Sequence, residues 1–171
     1  LWKAEVMFFL DNGGIWVHSI PGRPALDVVS ASMYFLGTIL LFGRYLRKRN
    51  WVDILLLLSV PLLMMPSILS LAFPDENPSL NRTAGALVPV FVIAAIGMQG
   101  IMSSIITRVR FRTTGKILAA GLGLFLITVS SVNNYSLVFE NYNDQFMRGA
   151  WNTSQMGGVI RGFSESIGDL D

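Results

Sequence analysis

ILLLLSVPLLMMPSILSLAF (54–73), PDENPSLNRT (74–83) and AGALVPVFVIAAIGMQGIMSSII (84–106) follow one another in the middle of this 171-residue chain. Each apolar run is about 20 residues or more without a charge, the length that crosses a hydrocarbon core about 30 Å thick. The polar stretch between them is then a hairpin at one membrane face. Its Arg82, at the mouth of the second run, can extend its guanidinium to the level of headgroup phosphates.

The rest of the chain agrees with a membrane class. Hydrophobic residues make up 52% and charged residues only 14%, and the mean hydropathy is +0.53, too apolar for an ordinary soluble domain. The apolar residues come in blocks and not in periodic stripes, which predicts an all-α polytopic bundle in contact with a lipid bilayer. The absence of cysteine excludes disulfides, thiolate nucleophiles and Cys-type zinc sites. With His18 the single histidine, the sequence offers no metal-binding pattern. The start at Leu1 and the end just after an apparent helix, at Asp171, suggest an internal piece of a longer protein.

Four spans are expected, at about Val28–Phe42, Ile54–Phe73, Ala84–Ile106 and Ile117–Val132. Arg44, Arg47, Lys48 and Arg49 fill the link 44–50, and Arg108, Arg110, Arg112 and Lys116 fill the link 108–116. Short basic links face the cytoplasm, so the hairpin and both ends of the chain are expected outside, in a bacterial cell membrane. Neither basic patch is long or mixed with aromatics in a soluble context, which argues against nucleic acid as a partner. The expected division is residues 1–26 as an outer interfacial helix and loop, 27–134 as the four-helix membrane region, and 135–171 as the start of an extracytoplasmic C-terminal domain.

Within the spans the sequence reads as packing. Pro61, Pro66 and Pro89 are tolerated kinks, and Gly37, Gly43, Gly97, Gly100, Gly115, Gly121 and Gly123 allow close helix approach. No ionisable residue lies deep in a span, which speaks against charged-ring channels and proton-coupled transporters. Gln99 is the one sizeable polar side chain there, suited to a helix-to-helix hydrogen bond. Outside the spans, Trp2, Val6, Phe9 and Leu10 suggest an interfacial helix. Tyr135, Val138, Phe139, Tyr142 and Phe146 share one helical face, and Met156, Val159, Ile160, Phe163 and Ile167 share another, after a cap at Asn152 or Thr153.

No phosphate loop, Ser-His-Asp set, zinc HExxH or dinucleotide fingerprint is present. The adjacent Asp75 and Glu76 point to opposite sides of an extended chain and make a poor acid–base pair. They fit better as groups that order the hairpin between Pro74 and Pro78, with Ser79 or Asn81 capping the third span. Candidate ligand-binding residues are Arg82, Glu76, Asn77 and Asn81 of the hairpin, with His18 and Arg23 of the loop before the first span.

The loop WVHSIPGRPALD (16–27), a span, a basic link, a proline-containing span, the Pro74–Gly85 hairpin and two further spans resemble the C-terminal half of bacterial members of the dolichyl-phosphate-mannose-protein mannosyltransferase family, membrane glycosyltransferases of the GT-C type. The resemblance implies inverting transfer of a sugar from a polyprenyl-phosphate donor to an acceptor outside the membrane. It also implies that the catalytic acid belongs to an N-terminal outer loop absent from these residues, so no catalytic residue is assigned. Arg82, with Arg23 and His18, would then meet the lipid phosphate. A transporter or flippase of lipid-linked intermediates, or a membrane anchor for an outer recognition domain, would share the same spans.

Overall fold

The computed structural model describes residues 2–69, 79–150 and 153–167. All of its regular structure is helical: α1 (Trp2–Glu5), α2 (Val28–Lys48), α3 (Trp51–Ile68), a 3-10 turn (Ala84–Ala86) leading into α4 (Leu87–Arg108), α5 (Arg112–Ser136), a π-helical stretch (Leu137–Tyr142) continuing into α6 (Asn143–Gly149), and α7 (Thr153–Ile167). Four of these helical segments are long and apolar enough to cross a membrane. Between 17% and 33% of each span is buried within the protein, so most of every span faces outward. Phe35, Leu62, Phe91 and Phe125 are all more than half exposed, a surface that only lipid can solvate. The chain is an integral membrane helical bundle.

The helix ends follow local chemistry. Asp27 caps α2, its carboxylate accepting from the Val29 and Ser30 N–H groups. At the other end Arg49 adopts a left-handed conformation (φ 51°) and donates its N–H to the Tyr45 carbonyl, and Asn50 then caps α3 through the Val52 N–H. Two residues therefore reverse the chain. The fully buried Asp53 receives both Nε (2.8 Å) and an Nη (2.6 Å) of Arg44 across this turn, a fork that fixes α2 against α3. Pro61 and Pro66 lie within α3. Pro89 falls in the first turn of α4, where its missing N–H costs no helical bond, and it does not act as a mid-span kink.

Backbone contact at glycine joins the central pair. A methyl group built on Gly37 would run into the Ile93 carbonyl, one on Gly97 into the Met33 carbonyl, and one on Gly100 into the Leu40 side chain. To either side of this crossing, Val29 and Met33 share a cleft with Phe91 and Ala94, and Arg44 and Arg47 share one with Gln99 and Ser103, so α2 and α4 run parallel and both basic links lie at one end of the bundle. Gly115 against Ile106 and Gly123 against Met102 bring α5 back antiparallel. Gly43 and Gly121, expected to do the same, face open space.

Opposite the basic links, residues 2–27 fold over the bundle. The expected interfacial helix is a single turn, and Ala4, Met7 and Phe8 are buried. Phe8 and Phe9 pack on Tyr34, and the Met7 carbonyl accepts the Ala25 N–H at 2.9 Å. Val6, Phe9 and Leu10 lie toward the outside of this segment. The side that belongs to the protein core is the one carrying Ala4, Met7 and Phe8.

Gly37→Ala is expected to destabilise the bundle by about 1–3 kcal/mol through overpacking. Gly43→Ala is expected to be neutral or stabilising by up to about 1 kcal/mol, both read from unfolding in detergent. Arg44→Ala should lower the unfolding temperature, and Arg44→Ala/Asp53→Asn should recover part of the loss, because the double variant leaves no buried carboxylate alone.

Candidate functional site at the capped end

Two polar assemblies lie at the end away from the basic links. The first is centred on Asp27. Besides capping α2, its Oδ2 accepts the hydroxyls of Ser30 (2.6 Å) and Ser130 (3.0 Å) and the Asn134 amide (3.2 Å). Asn134 also donates to the Ser130 carbonyl at 2.8 Å, which orients its amide. The first and last spans are thereby clasped through one carboxylate. Burial alone would raise the Asp27 pKa, but the hydrogen bonds from Ser30, Asn134 and Ser130 outweigh it and hold the group below its ordinary value. Arg23 stands beside it. Burial lowers the Arg23 pKa and the charge of Asp27 opposes that, and a guanidinium remains protonated in either case.

The second assembly is an open crevice of about 730 Å³ lined by Trp16, Ile20, Asn141, Asp144, Gln145, Arg148 and Gly149. It owes its wall to the length of the last spanning helix, which continues from Arg112 through the π stretch to Gly149 as one 38-residue element. A helix of that length reaches about 57 Å, nearly twice a hydrocarbon core. The helix therefore passes well beyond the expected end of span four at Val132. The loop before α2 is stapled to this extension: Gln145 donates to the carbonyls of Trp16 (2.8 Å) and Ser19 (3.1 Å), and the Tyr142 hydroxyl donates to the Val17 carbonyl. Gly149 makes room for the Trp16 ring, since a Cβ there would fall 2.9 Å from it.

The residues singled out from sequence are distributed unevenly. His18 is exposed on the stapled loop, its N–H donating to the Ile15 carbonyl (3.2 Å). Arg23 joins Asp27, and its carbonyl accepts the N–H of Asn12, a buried residue whose Oδ1 has no hydrogen-bond partner among the described residues. Arg82 is half-buried and Asn81 exposed in the turn leading to α4. That turn is anchored by the Ser79 N–H on Ser67 Oγ (3.0 Å), and by the buried Thr83 hydroxyl on the Ser79 carbonyl (3.0 Å) and against Met7 Sδ (3.6 Å). Neither Ser79 nor Asn81 caps α4, whose start is tightened by the 3-10 turn instead. Glu76 and Asn77, with Asp75, lie outside the described residues.

The sequence reasoning passed over Asp27, Ser130, Asn134, Asn141, Asp144, Gln145 and Arg148. A signal for the last four existed: they recur at helical spacing in a segment with no helix breaker after Asn134. Among the described residues no group of three His, Asp or Glu side chains forms a metal site.

The hydrogen bonds to Asp27 contribute stability fully above the ordinary carboxylate value of about 4, and the contribution is lost as pH falls through the lower folded-state value. The unfolding temperature of the wild type minus that of Asp27→Asn should thus be positive at pH 7 and shrink below about pH 4. A pH-independent difference would exclude an ionised clasp. No protein-family model, curated protein or solved structure matches the chain.

Proposed function

We propose that the chain forms part of a membrane glycosyltransferase that moves a sugar from a polyprenyl-phosphate carrier to an acceptor at the capped end of the bundle. That end is then the outer face of a bacterial cell membrane, and the basic links face the cytoplasm. The observation that carries this reading is the crevice beside Trp16. A sugar ring offers an apolar C–H face and a rim of hydroxyls. Trp16 supplies a flat apolar surface, while Asn141, Asp144, Gln145 and Arg148 supply planar donors and acceptors around it.

The position of the crevice supports the same chemistry. Its wall is the continuation of a membrane span, so a carrier whose chain lies in the bilayer and whose head emerges from it passes alongside. The leaving phosphate gains negative charge as the glycosidic bond breaks, and cations stabilise that charge most where water is scarce. Arg148 in the crevice, Arg23 beside Asp27 and Arg82 at the start of α4 are cations at this end. Asp144 lies one helical turn from Arg148, at a spacing where opposite charges support each other. No general base is assigned to this chain. The likeness of residues 16–27 and 74–85 to bacterial mannosyltransferases points to the same reaction.

Membranes carrying the full-length protein should transfer radiolabelled sugar from polyprenyl-phosphate donors. Trp16→Ala and Arg148→Ala are each expected to lower turnover by at least about tenfold, from loss of a stacking surface and of a charge-assisted hydrogen bond. Arg82→Ala should weaken carrier affinity, with Arg82→Lys retaining part of it. Transfer insensitive to all of these substitutions would remove the crevice and the turn from the reaction, and no transfer with any carrier would favour transport of lipid-linked intermediates.

A further inference from the structure

At the end bearing the basic links, α2 and α4 separate and leave a groove of about 570 Å³. Its mouth carries Arg44, Arg47 and Lys48, and among the described residues the acid beside it is Asp53, already spanned by Arg44. Three cations against one carboxylate leave a net charge of +2, held by Arg47 and Lys48. Inward, the walls become Leu40 and Ile96. The floor is open at Gly43, where an added Cβ would touch nothing within 4 Å.

Gln99 makes this groove chemically specific. It was expected to bond one helix to another. Instead its side chain is exposed and lines the groove about two turns inward from Arg47, with no hydrogen bond to another helix among the described residues. A free amide at that depth in hydrocarbon is costly unless a ligand meets it. A cationic mouth, an amide below it and apolar walls beyond match, in order, the phosphate, the ester-bearing glycerol and the acyl chain of a glycerophospholipid.

We infer that the groove between α2 and α4 binds an anionic glycerophospholipid from the leaflet next to the basic links, with its phosphate on Arg47 and Lys48, its glycerol over the open floor at Gly43 toward Gln99, and an acyl chain along Ile39 and Ile96. The proposal rests on the membrane character of the four helices and not on sugar transfer. Basic pockets between spanning helices are suited to such headgroups, each cation contributing roughly fivefold in affinity. Zwitterionic lipids bring a compensating ammonium that gains nothing from Arg47 and Lys48, and free phosphate lacks the acyl chain that fills the walls.

The test uses the full-length protein, delipidated in detergent, with binding followed by native mass spectrometry and thermal shift, so it reads lipid affinity whether or not transfer occurs. Phosphatidylglycerol should bind at least about tenfold more tightly than phosphatidylcholine of the same chains, and millimolar inorganic phosphate should not displace it. Arg47→Gln/Lys48→Gln should weaken phosphatidylglycerol by about thirtyfold, while Arg47→Lys/Lys48→Arg keeps it. Gly43→Leu, whose Cβ would meet nothing within 4 Å and whose branches extend into the floor of the groove, should weaken it with every charge in place. Equal binding of the two lipids, displacement by inorganic phosphate, or full phosphatidylglycerol affinity in the glutamine double variant or in Gly43→Leu would each overturn the proposal.

Discussion

The parallel contact of α2 and α4 through Gly37, Gly97 and Gly100 is the constraint from which the other positions follow. In lipid there is no hydrophobic force to press helices together, and dispersion at close range has to do so. Glycine on both sides brings backbone against backbone, with the Ile93 and Met33 carbonyls filling the space a methyl group would take. Once these helices are fixed, α3 is held beside them by the Arg44–Asp53 fork and α5 returns along α4 at Gly115 and Gly123. The capping segment can then reach its place on Tyr34, and Asp27 can reach Ser130 and Asn134.

Much of this architecture was legible in the residues because it is local. The starts at Val28 and Ala84, the basic turn near Arg49 and the close approach at Gly37 and Gly97 all follow from length, charge and side-chain size. What escaped was set by distance along the chain. Asp27 is only the last residue of the loop before the first span until Ser130 and Asn134, more than 100 residues later, are brought to its second oxygen. The amphipathic pattern of the first ten residues was visible, but the single turn at Trp2–Glu5 gives way to a chain path that buries Ala4, Met7 and Phe8 in place of the face a regular helix would present.

The candidate site was only half legible for a related reason. Tyr135, Phe139, Tyr142 and Phe146 look like the core of a separate domain when span four is stopped at Val132. In the structure Tyr135 and Phe139 are largely exposed on a helix that simply continues, and the polar residues interleaved with them make the crevice wall. Trp16 stands out in the sequence as the first residue of the loop before the first span. Its stapling by Gln145 and its seat on Gly149 give it a fixed place on this wall. The hairpin supplied Arg82 and Asn81, whose turn is secured to α3 and to Met7 at Ser79 and Thr83.

That one helix is both a membrane span and a wall of the crevice has a mechanical consequence. Successive residues of a helix are separated by about 100° around its axis, so if α5 slipped by one residue against α4, Asn141, Asp144, Gln145 and Arg148 would swing by a similar angle. Gln145 and Tyr142 tie the Trp16 loop to that same shaft, so the loop would be dragged along or torn from it. The bundle and the crevice are thus geared together, and the packing of Gly115 and Gly123 in the bilayer sets the aim of side chains several turns above it.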